Sequence, residues 1–345
     1  KIQLALDFEL QKKGYEIVKN VKAAIIVTNP KTGEILTSVS SPSFNSQDFE
    51  DNSNNNIQAY LTDENNPLFN RAIEATYPPG SIFKMVVATA GLEEKAIDEK
   101  TEIEDRGSIK AGASTFGNWY FLQYGKTEGM VDVIKALKRS NDIFFYKTGE
   151  KTGVEKIKKW SDIFGLGKRT GIGLDEAEGT IPSTFWKKEV LKESWYLGDT
   201  YNLSIGQGYV GTTPLQMAMA TDVFANGGYL CKPKLLKVIS EHSESKDCKK
   251  LPISKKTLNI IREGMKQACT TGGTGWPLFD FAVGKTKIQT ACKTGTAESH
   301  AKSGIPHAWI SAFAPYDRPE ISVTVLVEEG GQGSDVAGPI AKEIL

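Results

Sequence analysis

Short β-branched segments sit at both ends of this chain and long apolar helical runs fill the middle. Near the N-terminus AAIIVT and EILTSVS flank the Pro/Gly turn cluster NPKTG and read as a β-hairpin; near the C-terminus KTKIQTACKTGTAES, AWISAFAPY and EISVTVLVEE are strand-like and separated by turn signals. A sheet built from both termini must close around whatever lies between them, so the expected architecture is α+β, a central antiparallel sheet flanked by helices and carrying a mostly helical lobe. The lobe is expected from SIFKMVVATAGLEE, from MVDVIKALKRSNDIFFYKTG as one helical run, from VEKIKKWSDIFGLG, and from PLQMAMATDVFANGG with Pro214 in its first turn. Residues 42–66, rich in Ser, Asn, Asp and Gln, read as a long surface loop, while the start, KIQLALDFELQKKGYEIVKN, reads as an amphipathic helix.

At 345 residues the chain is long enough for one large domain or two joined lobes. Its 42 basic and 42 acidic residues leave no net field to draw it to nucleic acid or an anionic membrane. No apolar run approaches the length of a spanning helix. The abrupt start at Lys1 suggests that something lies upstream.

Cys231, Cys248, Cys269 and Cys292 are too widely spaced for a CxxC pair, and His242, His300 and His307 do not join them at ligand spacing, so no metal is expected. Cys231 and Cys248 flank a polar stretch that could form a hairpin; they are either a disulfide suited to an oxidising compartment or free thiols.

SxxK occurs at Ser81/Lys84, Ser243/Lys246 and Ser299/Lys302, but only Ser81 follows a Pro/Gly turn and opens an apolar helical run. On a helix, residues three apart share a face, so the amine can reach the hydroxyl. Burial there can bring the lysine into its neutral, proton-accepting form. Taken alone, Ser81 can equally be a plain N-cap with a solvated Lys84. KTG occurs at Lys31, Lys147, Lys151 and Lys293, and only Lys293-Thr294-Gly295-Thr296 lies in a β-rich segment. There an edge strand can pair with a substrate peptide, Gly295 would let the substrate backbone approach, and the Thr294 and Thr296 hydroxyls can bind a carboxylate. The alternative is an exposed edge strand kept soluble by lysine. The third triplet, Ser140-Asn141-Asp142, offers a proton relay and an acceptor for a substrate N–H, or else a solvated helix surface; Ser43-Phe44-Asn45 and Ser53-Asn54-Asn55 compete for that part. The GxGxxG match from Gly206 to Gly211 lacks the acidic partner and βαβ unit of a dinucleotide site, and no GxSxG surrounds any serine.

With Ser81, Ser140 and Lys293 in that order, the chain resembles the transpeptidase domain of class B penicillin-binding proteins. Within that family it is most similar to the penicillin-binding protein 2 branch that serves cell elongation. YPPGSIFKM, RSNDIFFY, GIGLDEAEGTIPS, LSIGQGYVGTTPLQMA, KTGTAE and AFAPYDRPEISVTVLVE carry the likeness over nearly the whole chain, with FGLGKRTGIGL and WYLGDTYNLSIGQGY pointing to the branch. The resemblance implies a penicilloyl-serine transferase fold over residues 1–345, with a membrane helix and pedestal domain upstream and the domain itself outside the cytoplasmic membrane.

It further implies a peptidoglycan DD-transpeptidase: Ser81 is acylated, Lys84 is the base, and Ser140 and Lys293 complete the catalytic set. Asp142, Thr294, Gly295 and Thr296 would bind substrate, and the backbone N–H groups of Ser81 and Thr296 would form the oxyanion hole. Stem peptides ending in D-Ala-D-Ala and β-lactams are the implied ligands and a SEDS-family glycan polymerase the implied partner, with no cofactor. A β-lactamase or a β-lactam sensor of the same fold is the alternative. Three positions depart from the family pattern. Asp142 replaces a usual Asn, in agreement with the penicillin-binding protein 2 branch; Cys292 replaces a common Gly and would place a thiol near the cleft; Glu298 replaces a frequent Gln.

Overall fold

The computed structural model describes residues 2–237, 247–299 and 301–345. Five strands, β1 (Ala23–Thr28), β2 (Ile35–Ser41), β3 (Ala291–Ala297), β4 (His307–Ala314) and β5 (Ile321–Val327), form one antiparallel sheet in the order β3-β4-β5-β1-β2. The two ends of the chain therefore meet at β5 and β1, where Ile25 lies opposite Val325. Every residue of β1 is buried, because this strand has helices on both faces. Edge strand β2 instead alternates between buried and half-buried positions.

Around the sheet pack α1 (Phe8–Val18), α2 (Lys84–Glu93), α3 (Val133–Arg139), α4 (Asp142–Thr152), α5 (Pro214–Ala225), α6 (Lys255–Ala268) and α7 (Gly338–Ile344). Alternation along the strands divides the core. Ile25, Val27, Ile310, Val323 and Val325 point to the face covered by Val18 of α1 and Ile340, Ala341 and Ile344 of α7. Ala24, Ile26, Trp309, Phe313 and Leu326 point to the other face and join the core of the helical lobe. At about 2 kcal/mol for each fully buried large side chain, these two layers anchor the sheet between them.

Helix α2 is buried all round from Lys84 to Gly91, which a helix tolerates only at the centre of a large lobe. Helix α5 is likewise buried throughout; Thr213 and Gln216 form its capping box and Pro214 fills its first turn.

The structure departs from the sequence expectation at two places in the fold. Residues 42–66 contain the helices Gln47–Glu50 and Asn54–Thr62 rather than one loop. Their anchor is aromatic: Phe49 packs on Phe44 and stacks with Tyr60, whose hydroxyl donates to Asp48 at 2.6 Å. The expected single run around Ser140 is two helices, because Ser140 takes the left-handed conformation (φ 53°) and Asn141 then caps α4 by accepting from the Phe144 N–H.

The Cys231–Cys248 hairpin does form, and its two cysteines face each other across paired strands in a disulfide. Most of the polar stretch it encloses, including His242 and the Ser243/Lys246 match, lies outside the described residues, as do Lys1 and His300.

Candidate active site

The turn before α2 is pinned from three sides. The Trp309 indole donates to the Pro78 carbonyl at 3.0 Å, Gly80 N–H donates to the Gly206 carbonyl at 2.9 Å, and Tyr77 pairs with Thr212. Residues Gly80–Phe83 then form a 3₁₀ turn that runs directly into α2. Side chains three residues apart in such a turn lie on the same side, so Lys84, the first residue of α2, follows Ser81 on that side.

Two glycines let this turn lie against β3. Gly80 has φ 55°, and a Cβ on it would stand 2.9 Å from the Thr296 carbonyl; a Cβ on Gly295 would stand 3.0 Å from the Pro79 carbonyl. Gly295 thus makes room for the chain's own serine turn, a different reason for glycine from the substrate approach expected from the sequence.

Lys84 is fully buried, and its ammonium donates to the Asp142 carboxylate at 2.6 Å, to the Ser140 carbonyl at 2.8 Å and to Ser140 Oγ at 3.4 Å. Lys293, also fully buried, donates to Ser140 Oγ at 2.8 Å and to the Thr294 carbonyl at 2.9 Å. The left-handed backbone at Ser140 is what turns both its hydroxyl and its carbonyl toward the lysines, and a non-glycine residue is held there only by its surroundings. Burial pushes the Lys84 pKa down, opposed by the Asp142 charge. Burial pushes Lys293 well below the usual lysine value, the positive charge of Lys84 adds to that, and Asp142 again opposes it. Two lysines share one carboxylate, so holding a proton on both is disfavoured.

Asp142 is itself held. Its second oxygen accepts from the Trp119 N–H at 2.9 Å, and its own N–H donates to Asn118 Oδ1 at 3.0 Å. Asn118 and Asn141 both donate to the buried carboxylate of Asp105, at 2.7 and 2.8 Å, and Asp105 also accepts from the N–H groups of Gly107 and Glu128. Asp105 is therefore the hub that fixes the segment carrying Trp119 against the Ser140 turn.

The opposite wall is β3, an edge strand whose residues are almost all buried. Thr294 Oγ1 donates to Thr274 Oγ1 at 2.7 Å. Gln207 bridges the open edge of β3, donating to the Thr296 carbonyl at 3.3 Å and accepting from the Glu298 N–H at 3.2 Å. The N–H and C=O of one strand residue point the same way, so the Thr296 N–H also faces the cleft. The side chain of Thr296 accepts from Gly333 N–H at 3.4 Å. Cys292 offers no thiol: it is bonded to Cys269 at the end of α6, which corrects the expectation of a free sulfur beside the cleft.

These groups surround one cleft of about 550 Å³, lined by Ser81, Ser140, Asp142, Thr294, Gly295 and Thr296, with Trp119, Thr274, Gln207 and Glu298 at its walls. All eight positions singled out in the sequence, Ser81, Lys84, Ser140, Asp142, Lys293, Thr294, Gly295 and Thr296, meet here or directly behind its surface. The competing matches lie elsewhere: Lys147 and Lys151 belong to α4, where Lys147 pairs with Glu150, and Ser299 donates to the Ile305 carbonyl in a surface loop. Asp105, Asn118, Trp119, Thr274 and Gln207 were missed. For Gln207 a signal existed in the Gly206–Gly211 match, which serves the cleft through Gln207 and through the Gly206 carbonyl. Among the described residues no cluster of three or more His, Cys, Asp and Glu could hold a metal.

Residues 23–345 match the model of the penicillin binding protein transpeptidase domain. The chain is 33% identical over 374 aligned residues to peptidoglycan D,D-transpeptidase MrdA of Haemophilus influenzae, covering 100% of this chain and 55% of that protein. Among solved structures it is similar to Penicillin-Binding Protein (PBP2) from Helicobacter pylori in complex with MreC, at 34% identity and a TM-score of 0.87 over 99% of this chain and 63% of that one. Pseudomonas aeruginosa PBP2 in complex with WCK 5153 has a TM-score of 0.87 at 30% identity, over 99% of this chain and 74% of that one. The chain thus spans little more than half the length of the curated relative it matches.

Proposed function

This chain belongs to the penicillin-binding protein transpeptidase family, and we propose that it is the D,D-transpeptidase domain of a penicillin-binding protein 2, which cross-links peptidoglycan through an acyl-enzyme on Ser81. The observation that carries this is the pairing of two fully buried lysines, Lys84 and Lys293, through Ser140 Oγ with a single carboxylate between them. Burial and the shared carboxylate disfavour a proton on both lysines at once, which leaves a place for the proton a serine hydroxyl gives up.

In the first step Ser81 Oγ attacks the carbonyl of the penultimate D-Ala while Lys84 takes its proton. The oxyanion is held by the N–H groups of Ser81 and Thr296. The terminal carboxylate lies against the wall of Thr294 and Thr296, where the Thr296 hydroxyl can donate to it, and Asp142 keeps Lys84 in place. The proton then passes through Ser140 to the amine of the departing D-Ala, which can leave only as a neutral amine. In the second step an amine of a neighbouring stem peptide attacks the ester, its proton returns by the same relay, and Ser81 is regenerated. A β-lactam would follow the first step, but its leaving amine stays tethered in the opened ring and blocks the second. No step needs a cofactor.

The two disulfides support an oxidising, extracytoplasmic setting for this domain. The membrane anchor, the pedestal and a SEDS-family polymerase partner belong to the same proposal by resemblance.

Incubation with a D-Ala-D-Ala stem peptide and an acceptor amine tests the reading. One D-Ala should be released per cross-link formed. Rapid turnover of penicillin would instead make it a β-lactamase, and acylation without D-Ala release a sensor.

A further inference from the structure

Cys269 ends α6, and Cys292 immediately precedes Lys293 on β3; both are fully buried and bonded to each other. Between the helix end and Trp276 the chain makes a tight loop, residues 270–275. It folds back on itself through Gly273 N–H to the Thr270 carbonyl and Gly275 N–H to the Ala268 carbonyl, each at 2.8 Å. The loop lies directly on the disulfide: a Cβ on Gly275 would stand 2.3 Å from Cys292 Sγ. The same loop reaches both walls of the cleft. Thr274 Oγ1 accepts from Thr294 Oγ1 at 2.7 Å, and the Gly272 carbonyl accepts from Arg139, the residue before Ser140, at 2.8 Å.

We infer that the Cys269–Cys292 disulfide is a positioning element of the cleft: it fixes the 270–275 loop to β3 so that Thr274, accepting from the Thr294 hydroxyl, holds the Thr294 side chain in place in the wall that faces the substrate carboxylate. The inference rests on the transpeptidase reading for the identity of that carboxylate. Two observations carry it. The bond joins the residue just before the loop to the strand residue beside Lys293, and Thr274 hydrogen-bonds the Thr294 side chain of that strand. Breaking the bond leaves two thiols in a space that Gly275 already closes, and close packing forces the displacement onto the loop and so onto Thr274. The Cys231–Cys248 disulfide, which staples a hairpin remote from the cleft lining, has no such route to the site.

The experiment uses the whole chain in four forms: wild type, C269S/C292S, T274V and the triple variant, with C231S/C248S as control. Alkylation in denaturant without reductant, read by mass, first counts free thiols. The second-order constant for acylation by a fluorescent penicillin is then resolved into its binding and limiting-rate parts. C269S/C292S should lose on the order of tenfold, mainly in the binding part, as a displaced positioning group does. T274V should lose a similar amount, and the triple variant little more than either, because both act through one contact. C231S/C248S should stay within about twofold, as substitutions remote from a site do.

Labelling of Cys269 and Cys292 in the unreduced wild type, full activity in a folded C269S/C292S, or additive losses in the triple variant would each overturn the inference. If serine at these positions prevents folding, Cys269→Ala with Cys292→Gly removes the bond without burying new polar atoms, and the same loss is expected of it. A wild type that is not acylated at Ser81 would sink the transpeptidase reading instead, which keeps the two failures apart.

Discussion

Two regions of this molecule bury a lysine among aromatic rings and carboxylates, with opposite outcomes. Lys187 has a side chain only 4% exposed, with Asp199 at 2.7 Å, Glu193 at 3.5 Å and the ring faces of Tyr196 and Tyr209 within 5.4 Å. Burial pulls its pKa down, but the two carboxylates more than offset that, so its net shift is upward and the charge is locked in. Lys84 has Asp142 and the Phe145 ring for company, but a second buried lysine across Ser140. There burial wins and the pKa falls. What separates a structural cation from a base is thus the balance of burial against carboxylates: two carboxylates outweigh burial at Lys187, and one does not at Lys84.

The largest test of that contrast is Lys84→Arg. A guanidinium stays charged at any working pH, so Ser81 acylation should fall by roughly a thousandfold or more even where the protein folds. Near-normal acylation by a fluorescent penicillin would remove Lys84 from the base role. Asp142→Asn should have a mixed effect. It withdraws the one charge that raises the lysine pKa values, so the acid limb of the acylation profile should move to lower pH. The maximal rate should also fall by about tenfold, because Lys84 and the Trp119 segment lose their shared partner. An acid limb that moves to higher pH contradicts the assignment.

At the other lysine the expectation reverses. Lys187→Met should leave acylation within about threefold but destabilise the fold by about 2 kcal/mol in urea titration, since Asp199 loses its partner. A large loss of acylation with unchanged stability would erase the distinction between the two sites.

The smallest effect concerns Asp222 of α5, whose carboxylate accepts from Thr28 and whose pKa is pushed up to about 7 by burial, opposed by hydrogen bonds. The folded protein keeps a proton there that the unfolded chain releases near pH 4, so this group costs stability progressively as pH rises from about 4 to about 7. Asp222→Asn should therefore be relatively more stable than wild type at pH 8 than at pH 5, by about 1–3 kcal/mol in urea midpoint comparisons. A stability difference that does not change with pH would show that Asp222 does not titrate in this range.

The sheet was legible because strands β1 to β5 are short, rich in β-branched or apolar residues and bounded by turn residues, and periodicity over a few residues suffices to find them. The positions of Ser81 and Lys293 were legible from their local settings, a Pro/Gly turn and a β-rich run. What surrounds them was not. Asp105 gathers Asn118, Glu128 and Asn141 across 13 to 36 residues of sequence, with no local pattern to announce it. Cys269 and Cys292 carried no pairing signal either, because a disulfide is chosen by the distance between two Cα atoms in the folded chain. The break at Ser140 was hidden for a different reason: helical periodicity continues through α3 and α4, and only two residues, left-handed Ser140 and extended Asn141, separate them.

The most direct measurement is to acylate the protein with a fluorescent penicillin, digest it and locate the adduct by mass. The arrangement of Lys84, Ser140 and Lys293 around the serine turn requires one adduct, on the peptide containing Ser81, and none in Ser81→Ala. An adduct on any other residue, or a folded wild-type protein that takes up no penicillin, would contradict it.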